Sequence, residues 1–126
     1  MTPRLITGVV WERSGVSLMA RIVGQDAQNI TQSALVSISF KIFDLAVPEA
    51  AKSSGTLTVS SVVFNTLQTD TRWTKDATGY NFRHDVGATA FSGGTKDWRI
   101  EYLFTPSGGA APFWVVFELH AHRIYS

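Results

Sequence analysis

The chain has 126 residues, with 12% aromatic and 17% charged side chains, a formal net charge of +1 and no cysteine. Zero cysteine excludes a disulfide framework, a thiolate nucleophile and a cysteine-ligated zinc site. Near-neutral charge without a Lys/Arg run excludes the phosphate-binding footprint of a nucleic-acid protein. This length suits one domain around a single core. A charged fraction below the ~25% of ordinary soluble domains points to a surface partly covered in an assembly, here a homo-oligomer.

In chain order, Leu5 to Glu12 reads as a first strand, ended by the turn signal Arg13-Ser14-Gly15. Its apolar run is broken by Gly8 and closes on Trp11-Glu12-Arg13, too short and too polar for a signal peptide or membrane span. Synthesis in the cytoplasm of the producing cell without export is therefore the expectation. Val16 to Val23 is the second strand, followed by a polar connection from Gly24 to Ser33 that carries an Asn-Ile-Thr sequon. Val36, Ile38, Phe40 and Ile42 alternate with Ser37, Ser39, Lys41 and Phe43, which predicts a central strand within Ala34 to Asp44. Pro48 to Lys52 suits one helical turn, because proline is tolerated at the first helical position. Thr56 to Leu67 reads as β-structure split near Ser60-Ser61, with Val62 and Phe64 inward. Gln68 to Thr78 is a polar loop carrying Arg72 and Trp73.

Three alternating runs close the chain. Tyr80 to Val86 places Tyr80, Phe82, His84 and Val86 on one face, and Trp98 to Phe104 places Trp98, Ile100, Tyr102 and Phe104 on one face. Phe113 to Ile124 sets Phe113, Val115, Phe117 and Leu119 against Glu118, His120 and His122. Phe91 is the apolar anchor of the loop between the first two runs, and Pro106 to Pro112 closes a final hairpin. Without any sustained helical period, about seven to nine short strands predict an antiparallel sandwich or barrel.

Candidate chemistry is sparse. Glu118, His120 and His122 share a strand face, and with His84 from a neighbouring strand they would suit zinc. A polar outer face near the chain end is the simpler account, and no cofactor is expected. Ser92-Gly93-Gly94-Thr95-Lys96 imitates a phosphate loop, but strand residues follow it where a helix is required. Asp70 with Asp76, and Glu101 with Glu118, are carboxylate pairs without a defined separation, and Arg99 and Lys96 offer them ordinary partners. No nucleophile elbow is present, so the expectation is a protein that is not an enzyme. Exposed aromatics are the better signal. Leu5, Trp11, Arg72, Trp73 and Trp114 are the candidate interface residues, since Trp and Arg anchor protein contacts.

The succession Thr78-Gly79-Tyr80-Asn81-Phe82, Ala88 to Gly94, Trp98-Arg99-Ile100-Glu101-Tyr102 and the last hairpin resembles the final three strands of a bacterial-type immunoglobulin-like domain. Ser17 to Val23, the polar link through Thr31 and Ala34 to Asp44 fit its first half. Asp76 to Tyr80 also has the spacing of a tyrosine corner, yet two strands follow, so Tyr80 opens the strand before the penultimate one and the spacing is coincidental. The layout is similar to the immunoglobulin-like modules of tailed-phage structural proteins, among them capsid decoration (cement) proteins and N-terminal modules of baseplate upper proteins. That resemblance implies an immunoglobulin-like antiparallel β-sandwich as a single domain over residues 1–126. It also implies a virion protein that binds a major capsid protein or, second, tail, neck or baseplate proteins, with neither nucleic acid nor membrane as partner. A carbohydrate-binding or metal-binding sandwich is the third expectation.

Overall fold

In the computed structural model, which describes residues 4–11, 15–24, 28–47, 50–73, 76–91 and 96–122, eight strands form two sheets. Side chains are described for all of these except residues 4–11, 88, 89 and 122. The strands are β1 (Arg4–Trp11), β2 (Val16–Ala20), β3 (Leu35–Asp44), β4 (Ser53–Leu57), β5 (Val63–Gln68), β6 (Tyr80–Val86), β7 (Lys96–Pro106) and β8 (Phe113–His122). One helical turn, α1 (Val59–Val62), joins β4 to β5. The larger sheet runs β1-β8-β7-β3-β4 and the smaller runs β2-β6-β5. In immunoglobulin lettering this is B-E-D facing G-F-C with a C′ strand added, so the chain is an immunoglobulin-like β-sandwich. All pairs are antiparallel except β1, which lies parallel to β8 along the edge of the larger sheet.

Period-two alternation builds the core. Ile38 and Ile42 from β3, Trp98, Ile100, Tyr102 and Phe104 from β7, and Phe113, Val115, Phe117, Leu119 and Ala121 from β8 are all buried. Leu18 and Ala20 from β2 and Phe82 and Val86 from β6 meet them from the facing sheet. Phe82 sits edge-on to Tyr102 and Phe104 at ring-centroid distances of 5.0 and 5.3 Å. Tyr102 is likewise edge-on to Phe117 at 5.7 Å, and Phe104 stacks on Phe113 at 4.9 Å. Each such pair adds about 0.5–1.5 kcal/mol beyond the burial of its area. Aromatic interlock thus occupies the middle of a sandwich that has no disulfide. Phe91 closes one end, edge-on to Trp98.

Three expectations need correction. Val36 is not inward with Ile38. It is 66% exposed, because the register shifts between Leu35 and Ser37 and leaves it as the extra residue of a bulge, while Leu35 takes the buried position. Phe64 is not the inward residue after Val62. The turn α1 changes the alternation phase, so consecutive Val62 and Val63 are buried and Val63 stands opposite Phe82. Tyr80 is buried but belongs to a satellite group with Phe64 and Trp73, at 5.9 and 5.6 Å, and not to the main cluster with Phe82.

Of the stretch expected to make a helical turn, Pro48 and Glu49 lie outside the described residues, and Ala50 to Lys52 are not helical. The strand ends expected at Glu12 and Ile124 also lie outside them, as do Ser92 to Thr95 of the glycine-rich loop. Lys96, which follows that loop, opens β7 as a strand.

Candidate functional site

The loop between β5 and β6 is organised by two aspartates. Asp70 accepts the backbone N–H of Arg72 on Oδ1 at 2.8 Å, and on Oδ2 the Arg72 guanidinium at 3.0 Å and the Tyr80 hydroxyl at 2.6 Å. Asp76 Oδ1 accepts the backbone N–H groups of Thr78 and Gly79 and the indole Nε1–H of Trp73, at 3.0, 3.1 and 3.0 Å. Arg21 completes the arrangement, 2.9 Å from Asp76 Oδ2, and donates to the Gly79 carbonyl at 3.1 Å. Donors of this density favour the charged forms. The Arg72 side chain and then the Tyr80 hydroxyl hold the Asp70 carboxyl well below the usual range, and the same bonds raise Arg72 and Tyr80. The Gly79 N–H, followed by Trp73 and Arg21, does the same for Asp76. These carboxylates are held in the charged form by donors that shape the loop.

Arg72 and Trp73 are therefore drawn into the loop's own structure. Arg72 remains exposed and also reaches Ser17 on β2 at 3.0 Å. Trp73 is half-buried, with its ring against Tyr80 and its N–H on Asp76.

The outer face of the larger sheet is different. Cross-strand register aligns Trp114 with Leu103 and Ser39, Val116 with Glu101 and Lys41, Glu118 with Arg99 and Phe43, and His120 with Asp97. Trp114 is 39% exposed, and Leu103 and Val116 beside it are half-buried. Arg99 lies 3.1 Å from Glu118 and 3.8 Å from Glu101, so one guanidinium serves both carboxylates of the pair suggested by sequence. His120 Nδ1 lies 2.6 Å from Asp97. Leu5 and Trp11 fall on β1 at the register of Val116 and His122.

Glu118 and His120 do share a face, as the zinc arrangement requires, but each already has a partner of the opposite kind. The His122 side chain lies outside the described residues. His84 cannot join them, because β6 belongs to the smaller sheet. No group of three potential metal ligands occurs among the described residues.

Two polar positions within the sandwich have partners that the sequence does not indicate. Asn81 is 1% exposed. Its Oδ1 accepts the Ile22 N–H at 2.7 Å, and its Nδ2 donates to the carbonyls of Ile22 and Ile30, both at 3.0 Å. His84 Nδ1 lies 2.7 Å from the Tyr102 hydroxyl, joining β6 to β7 between the sheets. Burial pushes Tyr102 far up and His84 down. The tyrosine therefore keeps its proton beside a neutral imidazole.

No protein-family model, curated protein or solved structure matches the chain. Its class thus rests on its own topology, that of an immunoglobulin-like sandwich. No helix among the described residues is long and apolar enough to cross a membrane.

Proposed function

We propose that this chain is a non-enzymatic structural subunit of a tailed-phage virion that works through protein–protein contacts, in the first place a capsid decoration protein on the outer shell. One observation carries the contact reading. The outer face of the larger sheet leaves Trp114 39% exposed beside Leu103 and Val116, while farther along the strands Arg99 is engaged with Glu118 and His120 with Asp97. A tryptophan on a rigid sheet, rimmed by paired charges, has the anatomy of a contact surface. The polar clusters favour the same reading, since their acceptors are filled by structural donors where catalysis needs a group left available. The layout shared with immunoglobulin-like phage modules supplies the setting, by analogy of fold.

The shell's outer surface and the open edge of β1 are the proposed meeting places with the particle. An edge strand can add to a neighbour's sheet and satisfy its backbone groups. The test is quantitative mass spectrometry of tailed-phage particles purified from the producing strain. Closed capsid symmetry predicts on the order of hundreds of copies per particle. About six to a few dozen copies would move the protein to the baseplate, neck or tail. Absence from every particle would overturn the virion reading.

A further inference from the structure

We infer that the outer face of the larger sheet binds a second copy of this chain, face to face about a two-fold axis. The inference deepens the protein-contact reading above by naming what covers that face.

The face divides along the strands. At one end, Trp114, Leu103 and Val116 form a contiguous apolar surface across β8 and β7, and Val36, 66% exposed on its bulge, stands at the same end of β3. Toward the other end the charges lie in rows of opposite sign: Lys41 beside Glu101, Arg99 beside Glu118, and His120 beside Asp97. The direct contacts are Arg99 with Glu118 at 3.1 Å and His120 with Asp97 at 2.6 Å. These positions hold two basic residues, Lys41 and Arg99, and three acidic ones, Asp97, Glu101 and Glu118, so the sum is −1, or zero with His120 protonated.

That pattern selects the occupant. A strongly acidic partner would meet Asp97, Glu101 and Glu118, and a strongly basic one Lys41 and Arg99, at a cost that rises as water is expelled. A copy of the same face presents the same near-neutral mixture. Two-fold stacking sets the apolar ends against each other and leaves the rows of Arg99 with Glu118 and His120 with Asp97 at the rim. A two-fold interface must be self-complementary, and mixed-sign rows beside an apolar patch satisfy that requirement. Trp114 lies in the uninterrupted register of β7 and β8, so its backbone is already ordered before association.

Sedimentation equilibrium of the full chain over about 1 to 100 µM tests the pairing, because dimer population depends on protomer concentration. The wild type should form dimers. Trp114→Ala should raise the dimer dissociation constant by about thirtyfold or more, the ratio for a hot spot at the centre of an interface. Val36→Asp, at an exposed bulge, should also weaken the dimer. Both variants should keep the wild-type thermal melt when measured as monomers, because neither position belongs to the core. Trp73→Ala should leave the dimer constant unchanged. A wild type that stays monomeric across this range overturns the inference, as does a dimer that Trp114→Ala and Val36→Asp leave intact. A monomer still recovered with phage particles would retire this pairing and keep the virion reading. A dimer absent from particles would do the reverse.

Discussion

Asn81 replaces a missing stretch of strand with one side chain. β2 ends at Ala20, yet Ile22 and Ile30 still carry backbone groups toward β6, and the Asn81 amide bonds to three of them. Truncation would leave the Ile22 N–H and the Ile30 carbonyl without this partner, while the Ile22 carbonyl keeps the Ile30 N–H at 3.0 Å, at a cost of about 1–3 kcal/mol for each group stranded. Asn81→Ala should therefore lower unfolding free energy by about 2 kcal/mol or more in a denaturant titration, beyond the effect of an ordinary surface substitution. His84 makes a second prediction, about acid. Its neutral form is favoured in the folded chain by burial, with Tyr102, Phe40 and the register partner Leu18 around it and Asp85 the nearest opposing charge. The folded state then binds the proton more weakly than the unfolded chain does. Stability from this site is complete above the ordinary histidine pKa of ~6.5 and is lost as pH falls through that value toward the lowered folded one. Melts at stepped pH should show this loss, and His84→Gln should flatten it. The carboxylates Asp44, Asp70 and Asp76 act in a lower window, since their folded pKa values are depressed. Their contribution is present above about pH 4 and is lost as pH falls below that, so it remains in the His84 variant.

Gly79 governs how an element begins. It carries φ of +107° ahead of β6, and a Cβ there would stand 2.3 Å from the Gln68 carbonyl oxygen. Both the left-handed conformation and the close approach demand glycine. Gly79→Ala should cost about 1–3 kcal/mol from backbone conformation alone, with the clash added, and should displace the loop that carries Trp73. Loss of Trp73 fluorescence anisotropy together with the stability loss would mark the loop, and an unchanged melt would show the turn to be dispensable. The register of β7 is open to an equally direct test. Ile100 is 0% exposed and Arg99 lies on the outer face. Ile100→Asp should abolish cooperative folding, because an unpaired buried carboxylate costs several kcal/mol. Arg99→Ala should change stability by about 1 kcal/mol or less, as exposed ion pairs do. The reverse result would mean that the strand is displaced by one residue.

Across the whole molecule, ion pairs among the described residues tie strand to strand. Lys96 bonds to Asp44 at 2.8 Å, tying the start of β7 to the end of β3, and the imidazole of His120 is held by Asp97. Saturating zinc should therefore leave the melting temperature unchanged, since a ligand stabilises only through sites available in the folded state. A rise that disappears in the double variant His120→Ala, His122→Ala would restore the metal alternative.

Alternation in the sequence determined most of the architecture by itself. Trp98, Ile100, Tyr102 and Phe104 inward with Arg99 and Glu101 outward, and the matching pattern from Phe113 to Leu119, follow from the period of two that any half-buried strand obeys. The place of Tyr80–Val86 as the strand before the penultimate one was legible for the same reason. Tertiary structure decided what local pattern cannot carry. A bulge turned Val36 out, a helical turn exchanged Phe64 for Val63, and the parallel docking of β1 on β8 depends on partners more than a hundred residues apart in order. Trp73 and Trp114 looked alike as tryptophans outside the core, yet Asp76 and Tyr80 hold one while the other stands on an open face. The joint made by Asn81 was invisible in sequence, and His84, legible there as an inward residue and a possible ligand, gained its Tyr102 partner only from the fold. A polar residue in a strand has no defined role until a distant segment brings its hydrogen-bond partners.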